Sequence, residues 1–74
     1  MFEIKPLEEI IRIAAAGGGF SMDASMKQTN DLVRIAAAAS SKRARIVFRG
    51  LKLRPIEDLI RIAAAGQGCV EFAD

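Results

Sequence analysis

Two acidic pairs have the residue types and spacing for acid–base chemistry. Glu8 and Glu9 are adjacent carboxylates, and so are Glu57 and Asp58. General acid–base catalysis uses side chains of this kind. However, each pair starts two residues after a proline, in what the pattern predicts to be the first turn of a helix. Acidic residues there interact favourably with the helix dipole. This position accounts for both pairs, and we expect no catalysis from them.

A glycine-rich run, GGGF at residues 17–20, raises the possibility of a phosphate-binding loop. Such loops follow a strand and precede a helix, so that backbone amides and the positive end of the helix dipole face the anion. This run instead follows a predicted helix and precedes a predicted strand. We therefore predict a helix cap followed by a turn.

Cys69 is the only cysteine, and the sequence has no histidine. A single cysteine excludes an internal disulfide and a cysteine-based zinc site. Without histidine, transition-metal binding is not expected, and a thiol nucleophile lacks its usual base. We expect no metal, no cofactor and no enzymatic activity. Strand alternation predicts that Cys69 lies on an open sheet face, half-buried at an interface.

A basic segment, residues 42–54, carries six of the eleven lysines and arginines and no acid, although the net charge is only +2. One hypothesis is that it contacts an acidic protein partner or another copy of the chain; another is that it is ordinary solvated surface. The alternative function is nucleic-acid binding, in which these side chains neutralise phosphates. Phe48 is predicted to lie in the core, and tyrosine and tryptophan are absent, so no base-stacking platform remains. The six basic residues are Lys42, Arg43, Arg45, Arg49, Lys52 and Arg54.

An internal repeat organises the chain. Arg12, Arg34 and Arg61 each follow two aliphatic residues and precede Ile-Ala-Ala-Ala. We predict a single domain, 1–74, with an N-terminal strand at 2–4 and three helix–strand units at about 5–24, 27–49 and 54–73.

Each predicted unit begins with a helix. Pro6 and Pro55 suit the first helical position, where a backbone N–H has no partner. Glu8 with Arg12, and Glu57 with Arg61, have the i,i+4 spacing of stabilising ion pairs. Gly17 and Gly66 are predicted to end the first and third helices in the left-handed conformation, whereas the end of the second helix is less defined.

Between the helices, large apolar residues alternate with others, as in Phe20/Met22 and Ile46/Phe48, which predicts short strands. The order β-α-β-α-β-α-β predicts an α/β domain with a mostly parallel four-stranded sheet. The alternation places several charged residues on one face of the predicted sheet, and charged side chains are not buried in a core that excludes water. We therefore expect all three helices on the other face and strand order 1-2-3-4, a short solenoid-like two-layer fold.

The missing catalytic residues and the exposed sheet predict a non-catalytic protein-interaction module of the adaptor or inhibitor type. Val70, Glu71 and Phe72 form an expected self-association edge, and we expect a homodimer that forms either through this edge or through the open faces of two sheets. No apolar run is long enough for a membrane span, and the first residues do not resemble a signal peptide, so the expected location is the cytoplasm. The candidate partner-binding residues are Lys42, Arg43, Arg45, Val47, Arg49, Lys52, Arg54, Cys69 and Glu71.

Overall fold

The fold consists of three helices that alternate with three strands, and the computed structural model describes residues 4–74. The elements in chain order are α1 (Leu7–Ala15), β1 (Phe20–Asp23), α2 (Thr29–Lys42), β2 (Ile46–Arg49), α3 (Ile56–Gly66) and β3 (Val70–Ala73). The predicted α/β class is confirmed.

The sheet is parallel, with strand order β1-β2-β3. Phe20, Ile46 and Val70 lie in register across it, and so do Met22, Phe48 and Phe72. The prediction of four strands is wrong for the described part of the chain, which has three. Of the expected strand 2–4, residues 2 and 3 lie outside the described residues, and Ile4 is exposed and not in a strand. Ile4 is followed directly by Lys5 and by Pro6, the residue before α1, so the chain after it leads into a helix and not into a strand.

The core lies between one face of the sheet and the helices. Both crossover connections move the chain in the same direction across the sheet, so right-handed crossovers place α2 and α3 on the same side. α2 packs between α1 and α3. In β1 and β2, alternate residues are buried and the others are exposed or half-exposed. The largest fully buried side chains are Ile10, Met22, Leu32, Ile35, Ile46, Phe48, Leu51 and Ile62.

The helix ends agree with the prediction at Gly17 and differ at Gly66. Gly17 has φ +98°, and its N–H bonds the Ala14 carbonyl oxygen at 3.0 Å, as expected for a glycine cap. Gly66 is instead the last residue of α3, and the left-handed residue after it is Gln67, with φ +50°. Gly66 is needed for packing, because a Cβ there would lie 2.5 Å from Cγ2 of Val70.

We expect Gln67→Gly to stabilise the protein by about 0.5 kcal/mol, because glycine has no Cβ to oppose the left-handed conformation. Thermal denaturation should show a midpoint a few degrees higher. Ala64→Gly, at an exposed position inside the same helix, is the control and should lower the midpoint. A lower midpoint for Gln67→Gly would contradict the interpretation of the cap.

Arg34 and Arg61 bond to the helix before their own, and neither predicted i,i+4 ion pair is present among residues 4–74. Arg34 Nη2 lies 3.2 Å from Glu8 Oε2, and Arg61 Nη2 donates to Asn30 Oδ1 at 2.8 Å. Within residues 4–74, the side chains of Arg12 and Glu57, the predicted partners of Glu8 and Arg61, make no such bond. Glu8 has the i,i+4 spacing to pair with Arg12 in its own helix. The packing of α2 against α1 instead places Arg34 beside it.

Candidate interaction surfaces

The open face of the sheet carries polar residues that bond across the strands. Ser21, Val47 and Glu71 lie in register, with Val47 half-buried at the centre. Arg45 Nη1 lies 3.1 Å from Glu71 Oε1, and Arg49 Nε donates to Ser21 Oγ at 3.1 Å. Arg45 and Arg49 therefore bond within the chain and are not isolated cations.

Asp23 ends β1 on this face and lies in register with Arg49. The backbone N–H of Ser25 donates to Asp23 Oδ1 at 2.9 Å. Hydrogen bonds that the carboxylate of Asp23 accepts, chiefly from the backbone N–H of Ser25 and then from the Ser25 side chain, lower its pKa, and the Arg49 charge adds to this effect. A carboxylate with a lowered pKa is a poor general base, so the shift indicates a turn-stabilising residue.

The basic segment 42–54 does not form one continuous patch. Lys42 ends α2, and Arg43 follows it in the left-handed conformation. Both precede β2, whereas Lys52 and Arg54 follow it. Four strand residues at about 3.3 Å each separate the two groups, so they lie towards opposite ends of the strand.

Arg54 binds the loop that connects β1 to α2. Its guanidinium donates to Thr29 Oγ1 at 3.0 Å and to the carbonyl oxygens of Ala24 and Ser25, each at 3.3 Å. It also donates to the carbonyl oxygen of Lys27. The sequence marked Arg54 only as part of a basic run, because its acceptors lie 25 to 30 residues away.

Cys69 is buried, with 6% of its surface exposed, so its expected position on the open face is wrong. It precedes β3, in the turn after α3, where strand alternation does not apply. Its N–H bonds the Gly66 carbonyl oxygen at 2.9 Å, and its own carbonyl oxygen accepts from Ile46 at 2.9 Å. The thiol therefore lies in the core and not on a contact surface.

The edge formed by β3 exposes both apolar surface and backbone. Phe72 is 39% exposed, whereas Phe48, in register on β2, is fully buried. The carbonyl oxygens of Cys69 and Ala73 bond to β2. Because backbone groups alternate in direction along a strand, Val70 and Phe72 direct theirs towards the free edge. A hollow of about 80 Å³ adjoins this edge, lined by Leu51, Lys52, Leu59, Phe72, Ala73 and Asp74.

The outer side of α3 is a second apolar surface, and the sequence did not single it out. Ile56 is 61% exposed and Ile60 is 58% exposed, one helical turn apart. Leu7 and Ile11 occupy the equivalent positions in the first unit, but they are only half-exposed and pack against the core. The repeat therefore marked these positions as apolar in the sequence.

Within residues 4–74, no helix is both long and apolar enough to cross a bilayer. The same part of the chain contains no group of three or more side chains suited to hold a metal ion. Comparison with known proteins found no family model, no curated protein and no solved structure that matches this chain.

Proposed function

We propose that this chain is a non-catalytic protein-interaction module, of the adaptor or inhibitor type, that self-associates through the edge of β3. The observation that carries the proposal is the exposure of Phe72, while its in-register neighbour Phe48 is fully buried. An edge strand with an exposed aromatic side chain favours pairing with another chain.

The proposed contact combines backbone and side-chain interactions. The backbone groups of Val70 and Phe72 pair with an incoming strand, which supplies affinity without requiring a particular sequence. The hollow beside Phe72 accepts a small apolar side chain of that strand, which adds selectivity. Glu71 alternates to the open face, where its bond to Arg45 orients it.

Nucleic-acid binding has less support. Arg45 and Arg49 bond within the sheet face, and the Arg54 guanidinium binds the loop after β1. The remaining cations lie at two ends of β2 and do not follow a single groove. This alternative is retained as an outcome of the test.

We expect light scattering to give a mass above the 8.0 kDa of one chain at about 500 µM protein. Phe72→Asp should return the mass to that of the monomer, because it places a charge on the pairing edge. Met26→Asp is the matched control, since Met26 is 92% exposed in the loop after β1, and it should leave the mass unchanged. A wild-type chain that remains monomeric contradicts the proposal. If it then binds a labelled oligonucleotide at about 50 mM salt, the nucleic-acid alternative is favoured.

A further inference from the structure

Both α2 and α3 use an arginine to contact the helix that precedes them. Arg34 of α2 reaches back to Glu8 in the first turn of α1. Arg61 of α3 reaches back to Asn30, the equivalent first-turn position of α2. We call the side of a helix that carries this arginine and faces the preceding helix its leading flank. We call the side that carries the first-turn residue and faces the following helix its trailing flank.

The leading flank is covered in α2 and α3 but open in α1. Ile35 and Ile62, each directly after the flank arginine, are fully buried. Ile13 is the equivalent residue in α1 and is only half-buried. An open hollow of about 350 Å³ adjoins this flank, lined by Glu9, Arg12, Ile13 and Ala16. Arg12 is exposed there, and its guanidinium has no hydrogen-bonding partner among the described residues.

The trailing flank shows the opposite pattern, because it is covered in α1 and open in α3. Leu7 and Ile11 of α1 are half-buried at positions equivalent to the exposed Ile56 and Ile60 of α3. Glu57 occupies the position of Glu8 and has no bonding partner within residues 4–74. The open flank of α3 thus presents two isoleucines and a carboxylate, while that of α1 presents a hollow and a guanidinium.

Because these two open flanks are complementary in charge and shape, we propose that α3 of one copy packs against α1 of a second copy. In the proposed contact, Glu57 lies beside Arg12 of the second copy and Ile60 lies beside its Ile13. The inference rests on the self-association proposed above and adds a pair of helix surfaces to the contact at the edge of β3. It continues, between chains, the contact that joins α1 to α2 and α2 to α3 within the chain. Because two different surfaces meet, the interface is heterologous, and assembly is not limited to two chains.

A contact between single helices is small, so we expect weak association, with a Kd on the order of 100 µM. At that affinity, mass should increase continuously with protein concentration. Ile60→Asp should weaken association by about tenfold or more, because it places a charge at the centre of the contact. Met26→Asp again serves as the exposed control.

Charge-exchange variants test whether Glu57 of one copy lies beside Arg12 of another copy. Arg12→Glu leaves two acids to meet between copies, and Glu57→Arg leaves two bases, so each variant alone should associate about fivefold more weakly at low salt. An equimolar mixture of the two variants restores an acid opposite a base at each contact between unlike variants, and the double variant restores it at every contact. In sedimentation equilibrium the double variant should regain wild-type association, and the mixture should associate more strongly than either variant alone. Thermal melts of each variant confirm that the monomer fold is intact.

The outcomes separate this inference from the proposed function. Growth beyond two chains, weakened by each exchange and regained in the double variant, supports the head-to-tail contact. Association that stops at twice 8.0 kDa, or that the charge exchanges leave unchanged, overturns the head-to-tail contact. Either result remains compatible with self-association through the β3 edge. A wild-type chain that remains monomeric at about 1 mM overturns both.

Discussion

Phe48→Ala is expected to leave most of the protein unfolded at room temperature. Phe48 is fully buried on the central strand, in register with Met22 and Phe72. Truncating a buried phenylalanine costs about 3–5 kcal/mol through lost apolar burial and the cavity that remains. A domain of this size has a total stability of about 3–5 kcal/mol, so the loss is comparable to the whole.

Circular dichroism without denaturant gives the folded fraction of Phe48→Ala, and urea denaturation of the wild type and of the folded variants gives the stabilities with which it is compared. Phe72→Ala is the matched control, because the same side chain lies in register on the adjacent strand but is 39% exposed. Its stability loss should be less than half that of Phe48→Ala, while it should weaken the proposed edge contact. Equal losses of stability in the two variants would contradict the burial difference between β2 and β3.

Local sequence patterns were sufficient to predict the helices and three of the strands. Pro6 and Pro55 mark the starts of α1 and α3, although each is the residue before its helix and not the predicted first helical residue. These starts and the alternation of Phe20 with Met22 depend on backbone geometry within a few residues. The same local chemistry correctly placed the first helix cap at Gly17. These features could be predicted because each depends on residues that are close in the chain.

Features set by contacts between distant residues could not be predicted in this way. Gly66 resembles Gly17 in sequence, but Val70 packs where its side chain would be, and the cap falls one residue later. Cys69 has the parity of an exposed strand residue, yet it lies in a turn that the core covers. The partner of Glu8 depended on how closely α2 packs against α1.

The candidate surfaces were predicted only in part. The β3 edge and the bonded sheet face follow from strand alternation, and both were expected. The exposed flank of α3 could not be predicted from the repeat, because Ile11 and Ile60 are equivalent in sequence, yet Ile11 is half-buried against the core and Ile60 is exposed. The repeat determines which side chain stands at each position, and packing between distant elements determines which of these side chains remain exposed.

Arg54→Lys is expected to destabilise the protein by about 2 kcal/mol despite keeping the charge. The guanidinium of Arg54 bonds Thr29 Oγ1 and three carbonyl oxygens of the loop before α2. A lysine ammonium is a point donor and does not span acceptors arranged around a planar fork. Each lost bond from a charged donor to a partly buried acceptor contributes to the cost.

Arg49→Lys is the matched control for Arg54→Lys, because Arg49 donates one bond to Ser21 on the open face and should cost less than about 0.5 kcal/mol. Urea denaturation of both variants gives the comparison, and equal midpoints would contradict a structural role for Arg54.

The result also decides how binding experiments on the basic segment are designed. Reversing all six basic charges would unfold the loop that Arg54 holds, and the resulting loss of binding would be mistaken for loss of a contact. Arg45 and Arg49 are therefore the positions at which charge reversal tests a partner without removing the fold that presents it.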